Sequence, residues 1–186
     1  MATWLVTTPE IGIQPITTSN TTSQHPVLKK VIARDGIDQS GLGEGEFIYL
    51  QGVANTVPGS LVTFDGGGQT ALTLGPSTSL SAVTGRPVAV AMSTNGATGY
   101  GWYMIRGNAP VLKDTTFASS LLAFSSGSAV GRIVSTTASG KAIERMYSLA
   151  STVGSANSTT TATSVDTVVM HMEYPSIEAV PPPVTG

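Results

Sequence analysis

The chain has 186 residues with nine Lys or Arg, eleven Asp or Glu, two His and no Cys, and a formal charge of −2. Charged residues make up 11 % of it, against about 25 % in an average protein, while about a quarter of its positions are Ser or Thr. This balance excludes thiol catalysis, cysteine-ligated zinc and a disulfide framework. It also argues against phosphate recognition, which needs basic residues gathered on one face.

Residues 1–44 carry Pro9, Pro15 and Pro26, a Thr/Ser/Asn-rich patch over 17–24 and glycines at 41, 43 and 45, with little sustained periodicity. They read as an extended N-terminal arm. Residues 1–10 lack the basic start and long apolar core of a secretory signal, and no run approaches a membrane span. Trp4, Leu5, Val6, Ile11, Ile13 and Ile16 are apolar enough to need cover, either from the parent domain or from a neighbouring chain. These six are the candidate contacts with such a chain. Lys29, Lys30 and Arg34 form the one basic group, and Asp35 and Asp38 follow at once, which predicts a locally neutralised, solvated segment.

From Glu46 onward the pattern changes to short runs of period two, bounded by Gly, Pro, Asn and Ser: 47–53, 61–64, 70–74, 88–92, 100–105, 143–149 and 167–174. Each predicts a strand. Val88, Val90 and Met92 share one face while Ala89 and Ala91 take the other. Val168, Met170, Met172 and Tyr174 likewise alternate with Thr167, Val169, His171 and Glu173, so both runs predict half-buried strands. The window 117–124 fits a short helix or a further strand. Pro58-Gly59, Asp65-Gly66-Gly67-Gly68, Gly75-Pro76 and Asn95-Gly96 predict tight reversals. The Ser/Thr/Gly/Asn tract 151–164 predicts a long loop, and Pro181-Pro182-Pro183 an extended tail over 176–186.

The chemistry on offer is sparse. His171 and Glu173 fall on one face of a strand, where a carboxylate orients an imidazole, but no nucleophile or third metal ligand accompanies them. His25, before Pro26, suits a turn or a packing contact. Asp65 and its three glycines are not followed by Gly-Lys-Ser/Thr, and Gly140-Lys141 is followed by Ala142, so neither is a phosphate loop. Tyr100 and Trp102 point together, with Tyr103 opposite. They fit core packing better than a sugar-stacking platform. Asn20-Thr21-Thr22 and Asn157-Ser158-Thr159 match the glycosylation pattern, as chance allows in so Ser/Thr-rich a chain. No catalytic residue, cofactor site or metal site is nominated, and the chain reads as a structural protein rather than an enzyme.

Three runs carry a family resemblance: Gly45-Glu46-Phe47-Ile48-Tyr49-Leu50-Gln51-Gly52-Val53, Gly99-Tyr100-Gly101-Trp102-Tyr103-Met104-Ile105-Arg106-Gly107-Asn108-Ala109 and Thr167-Val168-Val169-Met170-His171-Met172-Glu173-Tyr174-Pro175. Over residues 45–175 the chain resembles the capsid decoration (cement) proteins of tailed bacteriophages, in strand order and flavour rather than in a signature motif. The resemblance implies an all-β fold, a β-sandwich or barrel-like domain of jelly-roll or β-tulip type over 45–175, to which the sequence itself adds the extended N-terminal arm over 1–44 and the Pro-rich tail. The resemblance also implies a place on the outer surface of the virion head, as a homotrimer bridging major capsid protein subunits, which makes Trp4, Leu5, Val6, Ile11, Ile13 and Ile16 the candidate capsid or inter-subunit contacts. The charge and hydropathy of the chain separately predict no nucleic acid and no membrane as partner, and no cofactor is expected. A phage tail or fibre component, and a carbohydrate-binding β-sandwich using Tyr100 and Trp102, are the alternatives. On this reading, removing residues 1–40 leaves a folded domain that has lost capsid binding.

Overall fold

The computed structural model describes residues 4–8, 12–36, 42–73, 85–114, 117, 123–126, 130–134, 142–149 and 167–177. Ile11, the tract 151–164, the tail beyond residue 177, Gly75-Pro76, Gly140-Lys141, Asn157 and most of 117–124 lie outside them. Among the described residues there is no helix. Twelve strands form one antiparallel sheet: β1 (Trp4–Val6), β2 (Ser19–Asn20), β3 (Lys30–Asp35), β4 (Glu44–Gln51), β5 (Leu61–Phe64), β6 (Thr70–Leu72), β7 (Val88–Ala91), β8 (Tyr100–Leu112), β9 (Ala123–Ser125), β10 (Ile133–Val134), β11 (Ala142–Ser148) and β12 (Thr167–Ile177). The main path runs β1-β3-β4-β8-β12-β11-β9-β10. The fold is all-β and matches a β-sandwich or barrel-like architecture, although the sheet does not close.

Strand β8 is the spine. At 13 residues it is long enough to pair with β4 through Tyr100–Arg106 and with β12 from Arg106 to Leu112, while β2 and β7 also join its first half. Its run continues well past the expected 105, through Asn108 and Pro110. Pro110 sits opposite Val169 in the β12 ladder, and its missing N–H is tolerated because that position, like the Leu112 amide that donates to the Gly59 carbonyl, faces away from β12.

Two apolar clusters form on opposite faces of the β4-β8-β7 region. Phe47, Tyr49, Val88, Val90, Trp102 and Met104 join the larger core, and Ile48, Leu50, Ala89, Ala91, Tyr103 and Ile105 the smaller one, closed by Val62 with Phe64 and Leu72. The expected face-splitting of β7 is present, but the strand is buried on both faces rather than one. Valine on one side and alanine on the other suit a thick core backed by a thin one. In β12 the alternation holds through Met172. Glu173 and Tyr174 then both turn to solvent, because Tyr174 takes a left-handed backbone conformation (φ +52°) that inserts one residue into the period, and Pro175 and Ile177 return inward.

The N-terminal segment contributes directly to this sheet. β3 alternates Val31 and Ala33, both buried, with Lys30, Ile32 and Arg34 outside, and it pairs with β4 along five residues. Its outer charges hid the strand in the sequence. Across the ladder Lys30 lies 3.3 Å from Glu46 and Arg34 4.0 Å from Glu44. The Asp35 carboxylate accepts the Leu42 amide at 3.2 Å.

Candidate interaction face

Four consecutive strands carry an irregularity at the same level. The β4–β8 register shifts between Glu46 and Phe47, Gly107 of β8 has φ +110°, Tyr174 of β12 has φ +52°, and Arg145 of β11 has φ +58° beside a further register shift. Aligned bulges bend a sheet and re-aim the side chains beside them. A crease therefore crosses the outer face, and the chain's scarce charge gathers along it.

The ladder registers fix the order. Ile32 faces Glu46, Glu46 faces Arg106, and Arg106 faces Glu173, giving one row across β3, β4, β8 and β12. The next row runs Asn108, His171, Tyr147 across β8, β12 and β11. A cleft of about 220 Å³ lies between these rows, with Ile32 and Glu46 on one side, His171 and Glu173 on the other, and Gly45 and Gly107 in its lining. The two glycines are required for contact: a Cβ on Gly107 would lie 2.6 Å from the Glu44 carbonyl oxygen and 2.9 Å from Gly45 Cα.

The side chains of the crease hold one another. Tyr174 donates its hydroxyl to Glu46 Oε2 and lies under the Lys30 ammonium, 5.4 Å from the ring centre. The hydrogen bond to Glu46, reinforced by desolvation and by the carboxylate's charge, pushes the Tyr174 phenol above its ordinary value of 10. His171 Nδ1 lies 2.7 Å from Asn108 Oδ1, its Nε2 3.8 Å from Glu173, and its ring packs at 4.9 Å on Tyr147. The shared face expected for His171 and Glu173 is present. Among the described residues, no three His, Asp or Glu side chains group as a metal site.

Five of the eight large apolar side chains exposed among the described residues lie on this same face. Leu5 and Ile32 stand at its β1–β3 margin, Tyr174 beside the crease, and Tyr147 and Leu149 at its β11 margin. The face thus carries exposed apolar side chains at its two margins and a hydrogen-bonded, charged middle.

The six residues nominated from the sequence separate. Trp4, edge-on to Phe47 at 4.9 Å, and Ile16 are buried in the chain's own core, while Val6 and Ile13 are partly buried against it. Their cover is therefore intramolecular, because β1 and the turn before β2 close one side of the larger core. Leu5 alone points outward, 54 % exposed. Ile11 lies outside the described residues.

Tyr100 and Trp102 do share a face, opposite Tyr103, but Trp102 is wholly buried. Its ring contacts Tyr49 at 5.1 Å and His25 at 5.4 Å, so it offers no surface on which a sugar can stack. His25 is a packing residue whose Nε2 accepts the Gln14 amide at 3.3 Å. At the expected Asp65 turn, Oδ1 accepts the amides of Gly67 and Gln69 and closes the loop on itself. Sequence reasoning missed Glu46, Arg106 and Tyr174. The strand breaks that aim Arg106 and Tyr174 outward, at Gly107 and Tyr174 itself, leave no mark on an alternation pattern.

Fold and surface together define an all-β chain with a creased outer face along which charged side chains gather. Comparison with protein families, with characterised proteins and with solved structures finds no match to this chain.

Proposed function

We propose that this chain is a structural virion protein that decorates the outer surface of a tailed-phage head and bridges major capsid protein subunits. One observation carries the reading: the three runs that resemble the decoration proteins, separated by up to about a hundred residues of sequence, fall on β4, β8 and β12, which are consecutive neighbours in the sheet. The resemblance thus attaches to one contiguous slab rather than to scattered strands. The slab's outer face carries exposed apolar side chains at both margins, and a partner surface met many times over would let modest contacts there multiply.

The test is the copy number of the chain relative to the major capsid protein in purified, nuclease-treated particles, by quantitative mass spectrometry. A ratio approaching one-to-one, or one-to-two, supports decoration of the whole shell. A handful of copies per particle, or none, refutes it.

A further inference from the structure

The main path of the sheet ends in two edges that differ. β10 is buried, and Ile133 is bridged by Lys113. β1 has a described neighbour on one side only, β3, with Leu5 opposite Arg34. The Thr7 amide donates to the Ile32 carbonyl at 2.9 Å, which sets the parity of that ladder. Residues 5 and 7 turn their main-chain groups toward β3, so the amides and carbonyls of Trp4 and Val6 turn to the open side. The strand itself, Trp4-Leu5-Val6, has none of the lysines, prolines or bulges with which exposed edges are normally blunted.

We propose that β1 pairs antiparallel with β1 of a second copy of this chain, across a two-fold axis at Leu5. The spacing is self-complementary. Trp4 of each copy meets Val6 of the other as a hydrogen-bonded pair, giving four main-chain hydrogen bonds, and Leu5 meets its own symmetry mate at a non-hydrogen-bonded position, where facing side chains are closest. Leu5, more than half exposed in the single chain, gains cover. The two sheets become one, continuous through β3-β1-β1-β3. Pairs of three-residue strands make a small interface, well under the roughly 1,200 Å² of a standard one, so the association is weak and concentration-dependent.

The proposal does not depend on the decoration reading, since it is tested without particles. Sedimentation velocity of the full chain, from about 5 µM to about 1 mM to span weak affinities, is expected to show a reversible monomer–dimer equilibrium. Leu5→Lys places like charges opposite each other and weakens the dimer at least tenfold, with an unchanged melting curve because the side chain is exposed. Val6→Pro deletes a donor used twice and abolishes the dimer. Leu149→Lys, at the far margin of the same face, leaves the affinity as it was. A monomer at every concentration, a trimer, a dimer indifferent to Leu5→Lys, or one equally weakened by Leu149→Lys overturns the proposal.

Discussion

Gly107→Ala is the sharpest probe of the crease. At φ +110° an L-residue is strained by about 1–3 kcal/mol. The added methyl would also sit 2.6 Å from the Glu44 carbonyl oxygen and 2.9 Å from Gly45 Cα, backbone atoms of a paired strand that cannot swing aside. Overpacking of that kind costs a further 1–3 kcal/mol or about that. The sum, about 2–6 kcal/mol, is a large share of the roughly 5–15 kcal/mol that holds a domain folded. Urea unfolding is expected to show a midpoint lowered accordingly with an unchanged m-value, which distinguishes lost stability from a changed unfolded state. Gly66→Ala is the control, since its methyl would meet nothing within 4 Å, and its stability should stay within about 0.5 kcal/mol of the parent, or rise slightly. A Gly107→Ala protein within that same margin would show that the aligned bulges are not a fixed feature of the fold.

Removing residues 1–40 deletes β1, β2 and β3 together with Trp4, Ile16, Val31 and Ala33 of the larger core. The truncated chain is expected to lose cooperative unfolding and near-ultraviolet circular dichroism, and a native-like melt would contradict the intramolecular role of this segment. Tyr103 is buried, which pushes its phenol above the ordinary value of 10, while hydrogen bonds with Thr70 and Asn95 offset part of that rise. Because the folded state favours the protonated phenol, this contribution is complete below pH 10 and is lost as pH climbs through the raised value. Tyr103→Phe should therefore flatten the alkaline fall in stability, and an identical alkaline limb in both proteins would refute the assignment.

The seven strands expected after residue 45 all exist, and 61–64 coincides with β5 end to end, because period-two alternation survives wherever one face is apolar and the turns are rich in glycine. The strands outside that reading are β1, β2, β3 and β10, while β9 begins at the end of the 117–124 window, which fits a helix or a strand equally. β3 hides because Lys30 and Arg34 occupy the outer positions of a real alternation, and β2 and β10 are two residues long, below any periodic signal. The extended arm assigned to 1–44 shows apolar residues in need of cover, but the sequence does not show that β4 supplies the ladder on which its β3 lies. The candidate face was less legible still. His171 and Glu173 were placed correctly from spacing alone, whereas Glu46 reaches Tyr174 only through a backbone break 128 residues away.

The order of synthesis acquires a meaning from the spine. β8 borders β4, made some fifty residues earlier, and β12, made some sixty residues later. A nascent chain emerging through residue 112 can assemble β3, β4, β7 and β8, but the inner faces of Ala109 and Val111 have no neighbouring strand until Val168, Met170 and Met172 arrive. Such distant pairings close slowly, after a large loop entropy has been overcome. The half-built sheet waits with an open edge and an uncovered apolar strip, so the interval before the last strand arrives is the time at which this chain is most exposed to misassembly.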